Sequence, residues 1–272
     1  MPDHKNTVAV ITGGHQGLGL AIAEALIADG CRQMVIAGRN VTKGEEAAAK
    51  LRESGADVRF LPADMGQVGD AVDLIDRTLS RFGRVTSLVN CAADTSRGSI
   101  LDTTPEGWDR LMNINARGPF FALQRFAQAA VAAGHPATAV NIVTMSSHCG
   151  QSFLAGYAAS KAALHRLTQG MAAELVDSNI AVNVVGPSTA IRTPGADALI
   201  PADYPCEDPA YLAQTVLEMC HLPAAERTGL VAFSMHFPHA MGFPVRTLDG
   251  TGELPPAELP LYSHPATSLD GL

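Results

Sequence analysis

Tyr157 and Lys161 stand four positions apart in Tyr157-Ala158-Ala159-Ser160-Lys161, a spacing that stacks both side chains on one helix face. A free phenol has a pKa of about 10, so at neutral pH it is a poor base and a slow acid. A cation within about 4–6 Å lowers an acidic group's pKa by roughly 1–3 units. Lys161 is therefore expected to bring Tyr157 toward the range in which a phenol trades protons with an alcohol. Alone, this spacing more often marks an idle surface pair, and the elements that must position it decide its meaning.

A second chemical stretch is Thr12-Gly13-Gly14-His15-Gln16-Gly17-Leu18-Gly19. It follows the apolar, β-branched run Thr7 to Ile11, which reads as a strand buried on both faces. Behind it a helix carries Leu18, Ile22, Ala25 and Leu26 on one stripe and stops at Gly30. Glycines at such a junction let backbone approach a pyrophosphate, and the helix N-terminus supplies N–H donors. Gly13, His15, Gln16, Gly17, Leu18 and Gly19 are the expected cofactor contacts here.

The next strand, Met34 to Ala37, runs into Gly38-Arg39-Asn40. An acidic residue near this point would bind the ribose 2′-hydroxyl of NAD. Here Gly38 and Arg39 stand instead, and a guanidinium binds a 2′-phosphate through paired donors. NADP(H) is therefore expected over NAD(H), with Arg39 and Asn40 at the adenosine end, although Gln16 stands where a basic residue would reinforce the choice. Asp57 to Leu61 is a third strand; beyond it Asp64, with Met65, either meets the adenine amino group or caps the helix through Asp70–Thr78. Thr86 to Val89 is a fourth strand entering Asn90-Cys91-Ala92-Ala93, where Ala92 lets chain and cofactor approach and the Asn90 amide can tie two strands together. Thr103-Thr104-Pro105 opens a helix leading to Asn115. Ala139 to Thr144 and Ile180 to Val185 are the fifth and sixth strands, Tyr157 to about Val176 a helix between them, and Thr228 to Ser234 a final strand. Ligands of such sheets bind beyond the C-terminal strand ends. This alternation predicts an α/β, three-layer, doubly wound Rossmann fold with a parallel sheet of about seven strands.

Composition narrows the function classes. The 272 residues are 47% hydrophobic with a formal charge of −8, which disfavours a nucleic-acid partner. The richest apolar stretch, Pro119 to Ala133, is broken by Gln124, Arg125 and Gln128, so no membrane association is expected. Five cysteines without a CxxC, and no room for a signal peptide before the first strand, point to a cytoplasmic protein with reduced thiols. His236 and His239 suggest a metal, but Phe237 and Pro238 argue against the helical spacing that ligation would use, and no metal is expected there. One Rossmann-type domain is expected over 1–234, with a substrate loop and helix at about 188–225, followed by a Pro-rich C-terminal extension, 235–272.

From about residue 6 to 195 the pattern resembles the short-chain dehydrogenases/reductases of the classical, shorter type. The resemblance rests on the TGxxxGxG of Thr12–Gly19, the stretch at Asn90, Asn115 before Arg117-Gly118, and Tyr157-x-x-x-Lys161. It implies hydride transfer between nicotinamide and a ketone or secondary alcohol, and a homotetramer or homodimer. Tyr157 would be the general acid/base. Lys161 would lower its pKa and hold the nicotinamide ribose. Asn115 would support a proton-relay water. The family's serine position holds Thr144, with Ser146 close behind as its competitor. Ala93 and Ser188 replace family glycines, Pro187 is kept, and Thr193 sits one position late as the carboxamide contact, with Thr189 as alternative. Asp94, Ser96, His148, Phe153, Leu154, Ser188 and Ile191 would form the substrate pocket, a mix that suits a moderately apolar ketone. The rival readings are a non-catalytic NADP(H)-binding sensor or scaffold, an epimerase or dehydratase, and, within the favoured class, a reductase of carrier-bound 3-oxoacyl chains.

Overall fold

A computed structural model describes residues 4–148, 151–197, 200–221 and 227–259. Seven parallel strands form one sheet in the order β3-β2-β1-β4-β5-β6-β7. They are β1 (Val8–Thr12), β2 (Gln33–Gly38), β3 (Asp57–Pro62), β4 (Ser87–Asn90), β5 (Ala137–Ile142), β6 (Ile180–Gly186) and β7 (Val231–Phe233). The order reverses direction between β1 and β4, which opens a crevice at their C-terminal ends.

Helices cover both faces because the central strands are apolar on both. In β1, Ala9 and Ile11 point into a core shared with α1 (Gly17–Ala28), α2 (Val41–Arg52) and α7 (Pro209–Met219). Val10, between them, points the other way, toward α3 (Val68–Phe82) and α5 (Gly118–Ala133). Each fully buried Ile, Leu or Phe on these layers contributes roughly 1.5–3 kcal/mol. The amphipathic α3 shows the pattern most plainly, burying Ala71, Leu74, Ile75 and Thr78 and ending at Gly83, whose φ of 76° closes the helix.

Helix starts are set by short polar caps. The Asn40 side chain accepts from Lys43 N at α2, and Thr104 does the same from Gly107 N at α4 (Pro105–Met112). Asp208 caps α7 ahead of Pro209. Between α4 and α5, residues Asn113–Arg117 form one wide π turn, a local widening frequent at functional sites. Helix α6 runs Ala155–Leu175 and presents Leu164 to Val143 and Val184.

Three sequence expectations shift. The fifth strand lies at Ala137–Ile142 rather than Ala139–Thr144, so Thr144 is past the ladder, in extended backbone before a tight turn at Met145–Ser147. Asp64 does not cap α3; Gln67 holds that place, while Asp64 Oδ1 accepts from Gly66 N at 2.9 Å. His236–Met241 is helical (α8) in spite of Pro238, which falls in its first turn where no N–H is missed. Beyond β7, Met235 and Val245 pack on Ala210 and Tyr211 of α7, and the Tyr211 hydroxyl donates to Pro255 O at 2.6 Å. The remainder of the expected extension, 260–272, and Cys149 lie outside the described residues. No helix among the described residues is long and apolar enough to cross a membrane.

Candidate active site

The turn after β1 is tied to the end of β4 by Thr12, whose buried hydroxyl oxygen accepts from Cys91 N at 3.0 Å and Ala92 N at 3.1 Å. At Gly19 a Cβ would overlap Gly13 O, so only glycine lets α1 begin this close to the strand. Gln16 precedes α1 without a side-chain cap, which leaves first-turn N–H groups for an anion. Gly13, His15, Gln16, Gly17, Leu18 and Gly19 all line one cleft of about 880 Å³ across the switch point, together with Ala92. Asn90 does not reach it. Its amide donates to Asn141 Oδ1 at 2.8 Å and Pro119 O at 3.3 Å, binding β4 to β5 and α5 beneath the floor.

Beyond β2 and β3, Arg39, Asn40, Asp64 and Met65 line the same cleft, and Lys43 joins them. A Cβ on Gly38 would run into the His15 ring, so the position that would carry an acidic side chain is filled by an imidazole. Burial lowers the pKa of His15, and the charges of Lys43 and Arg39 lower it further. Neither Arg39 nor Lys43 is paired with a carboxylate among the described residues. The glycine cradle, open helix end and two cations fit the diphosphate and 2′-phosphate of a dinucleotide.

Tyr157 and Lys161 face the cleft from α6, opposite Thr144 and Ser146. Their electrostatics differ from the sequence expectation. Burial pushes the Tyr157 phenol up to about 12; the neighbouring Cys91 also raises it, and the Arg97 cation opposes the rise. Lys161, 2% exposed, donates from Nζ to Ile142 O at 2.8 Å, and burial lowers its own pKa to about 8. The ammonium is thus committed to the end of β5, and the phenol is a protonated acid at neutral pH. The expected lowering of Tyr157 by Lys161 is not present in this geometry.

Asn115 is held by contacts behind the cleft. It sits in the π turn, fully buried, and does not line the cleft. Its Nδ2 donates to Asp94 O at 2.8 Å and Ser160 Oγ at 2.9 Å, while Oδ1 accepts from Asp94 N at 2.8 Å. Ser160 in turn donates to Tyr157 O at 2.7 Å. With both amide hydrogens used, the side chain staples the strand-four loop to the first turns of α6.

The two hydroxyls expected to compete work as a pair: Ser146, buried, donates to Thr144 Oγ1 at 3.4 Å, and Thr144 is the more open. Pro187, Thr189 and Thr193 line the cleft. The Thr189 hydroxyl is spent on Pro205 O at 2.9 Å, whereas Thr193 packs against Gly17 beside the glycine turn. Of the expected substrate residues, Leu154, Ser188 and Ile191 line the cleft, but Asp94, Ser96, His148 and Phe153 do not. Asp94 pairs with Arg110 at 2.5 Å, and His148 turns to His165 and Phe233. Thr95, Arg97, Gln151, Ser152 and Tyr204, absent from the sequence reading, stand on the wall instead, making it more polar than expected.

Behind that wall lies Glu207, 6% exposed. Its Oε2 accepts from Ser188 N at 3.2 Å and Thr189 N at 3.4 Å, and its Oε1 from Ser234 Oγ at 2.5 Å. Burial outweighs those donors and raises its pKa to about 7. A carboxyl with a folded pKa above its unfolded value stabilises most at low pH, so stability should fall as pH rises from about 4.5 to about 7 and level off beyond. The drop attributable to this group is on the order of 2–4 kcal/mol. Thermal unfolding across that window should flatten in Glu207→Gln; an unchanged profile would show that Glu207 titrates normally.

Comparison with known proteins agrees with this arrangement. The family model for short chain dehydrogenases matches residues 7–202. An NADP-dependent (R)-specific alcohol dehydrogenase of Lentilactobacillus kefiri is 36% identical over 198 residues, covering 72% of this chain and 77% of that protein. A 2-(S)-hydroxypropyl-CoM dehydrogenase of Xanthobacter autotrophicus is 34% identical, covering 73% and 77%. The crystal structure of acetoin dehydrogenase from Enterobacter cloacae superposes with a TM-score of 0.76 at 26% identity, covering 84% of this chain and 93% of that one. A seven-stranded parallel sheet with a glycine cradle and a Tyr-Lys helix facing one cleft, joined to these likenesses, makes the chain a member of the short-chain dehydrogenase family and an oxidoreductase of CH–OH/C=O groups.

Proposed function

We propose that the protein transfers hydride reversibly between NADP(H) and a ketone or secondary alcohol. The observation that carries this is the convergence, in one cleft, of Tyr157, Lys161, Thr144 and Ser146 with the glycine turn and α1 N-terminus. When bound, the dinucleotide supplies the hydride. The protein holds its phosphates on the glycine turn, and Arg39 and Lys43 receive the 2′-phosphate. Thr193, beside Gly17, is the carboxamide contact. Lys161, fixed to Ile142 O, would hold the ribose hydroxyls with its remaining donors.

The substrate oxygen rests between Thr144 and Tyr157. Thr144 donates a hydrogen bond to it and is itself oriented by Ser146. Tyr157, protonated at neutral pH, gives its proton to the oxygen as the carbonyl is reduced and takes one back in the reverse direction. Asn115 keeps Tyr157 in place through Ser160. NADP(H) is preferred because His15 occupies the space above Gly38 that an acidic ribose ligand needs. The similarity to an NADP-dependent relative supports the same choice. Cys31, Cys91, Cys206 and Cys220 are free thiols, in keeping with the cytoplasmic location that forms part of the proposal.

The hydroxyl assignment has its own test. Thr144→Val should lower kcat/KM for ketone reduction by about 10–100-fold, the worth of one hydrogen bond to a developing charge. Thr144→Ser should retain most activity, and Ser146→Ala should cost less than Thr144→Val. A larger loss in Ser146→Ala would reverse the two roles. Consumption of NADPH with a panel of ketones is the measurement.

A further inference from the structure

At the opposite end of α1 from the cleft, three metal-ligating side chains meet that the proposed chemistry does not use. His4 precedes β1, Asp29 caps the end of α1, and His221 follows α7. Helix α1 has 12 residues, so this cluster lies about 18 Å from the glycine turn. His221 Nε2 is 3.6 Å from Asp29 Oδ2, and His4 Nε2 is 4.0 Å from the same oxygen. The side chains of His4, Asp29 and His221 are only 2%, 16% and 10% exposed. Both Asp29 Oδ2 and His221 Nε2 are buried atoms without a hydrogen-bond partner among the described residues, an arrangement that costs free energy unless something sits between them.

Each of the three is also held from behind. His4 Nδ1 is 3.0 Å from Thr7 Oγ1. His221 Nδ1 is 3.5 Å from Glu218 Oε2, which Arg227 anchors at 3.1 Å. Asp29 Oδ1 is 3.5 Å from Arg246 Nη1, leaving Oδ2 for the shared point. Glu218, as a carboxylate, can only accept, so the Nδ1 facing it carries the proton and Nε2 is the free donor atom. An outer partner on Nδ1 that aims Nε2 inward is the usual support of a ligating histidine.

We propose that His4, Asp29 and His221 bind a divalent transition ion of the zinc class and that the ion is structural. Two imidazole nitrogens and one carboxylate oxygen suit Zn(II) or Co(II), with water completing the shell. Ligand atoms around tetrahedral zinc lie roughly 3.4 Å apart, given metal–ligand distances of about 2.0–2.1 Å; the ligand atoms here lie within 4.8 Å of one another and draw together on binding. The imidazoles are now stacked, centroids 4.4 Å apart and planes 18° from parallel; binding turns one ring out of that stack. The ion then pins the start of β1, the end of α1, the end of α7 and, through Arg246, the segment after β7.

The test uses the full chain, stripped with a chelator and titrated with Co(II) and Zn(II). The expected result is one saturable equivalent of Co(II), with a visible absorption spectrum of nitrogen and oxygen ligation. Tm should rise with the logarithm of free Zn(II). His221→Ala and His4→Ala should each weaken Co(II) binding at least 10-fold and leave ketone turnover unchanged. Absence of saturable binding would overturn the proposal and leave a metal-free imidazole–carboxylate cluster. So would binding undiminished in His221→Ala, or thiolate charge-transfer bands in the unmodified protein, a reading that needs no variant to fold.

Discussion

Tyr157→Phe is expected to lower turnover by about 10²–10⁴-fold while leaving NADPH affinity within a factor of a few. The range is that of a positioned general acid/base. Desolvation, with Cys91 adding to it, raises the phenol's pKa to about 12, so in the proposed reaction its hydroxyl is the proton source in the reducing direction. Phenylalanine keeps the ring and its packing but has no proton to give. Because Asn115 and Ser160 hold α6 through backbone at Tyr157, the substitution leaves the helix in place. Retained turnover would show that the proton comes from elsewhere, and joint loss of turnover and NADPH binding would show a collapsed cleft instead. Steady-state rates paired with NADPH fluorescence titration separate these outcomes.

The second large effect concerns the choice of dinucleotide. Arg39→Ala combined with Lys43→Ala should weaken NADPH binding by about 10²–10⁴-fold, two charge-assisted hydrogen bonds at roughly 1.5–3 kcal/mol each. NADH, which carries no 2′-phosphate, should bind the variant as well as it binds the parent. Both cations are exposed, so the parent's preference for NADPH should shrink as salt is raised. An unaltered NADPH affinity, or equal losses for the two dinucleotides, would remove Arg39 and Lys43 from 2′-phosphate recognition. Gly38 makes the converse change costly: an acidic side chain there must first displace the His15 ring.

Much of the sheet was legible because its signals are local. Continuous apolar runs such as Thr7 to Ile11 mark strands buried on both faces, and Gly-rich or capped junctions mark where helices start. The glycine turn was readable for the same reason, since backbone approach at Gly13 and Gly19 is written in the residues themselves. Strand ends were less so. Thr144 continues a β-branched run but has already left the ladder, since β5 pairs with β6 only from Ala137 to Ile142.

Side-chain commitments across the fold were not legible. The four-residue spacing of Tyr157 and Lys161 gave their shared face, but not that Ile142 O would take the ammonium or that burial would dominate the phenol. Asp94 looked like a substrate residue until Arg110, 16 positions on, engaged it. Glu207 gave no signal in sequence, because its partners Ser188, Thr189 and Ser234 come from two separate segments. The His4, Asp29 and His221 cluster is hidden for a like reason, as its members arrive from three elements with no motif spacing. Lys43 and Arg97 carry no distinguishing signal in the sequence, and only the cleft shows what they face.

The proposed hydride delivery from NADPH to a carbonyl carbon inside the Tyr157 cleft can be followed atom by atom. NADPH labelled with deuterium at the transferable position of nicotinamide C4 should be incubated with each ketone of a panel, and the alcohols examined by mass spectrometry and NMR. Deuterium on the carbinol carbon, on a single face, with the labelled alcohol formed about 10²–10⁴-fold more slowly by Tyr157→Phe, is the predicted result. Alcohol carrying only solvent hydrogen at that carbon, or tightly bound NADPH that no ketone oxidises, would contradict it.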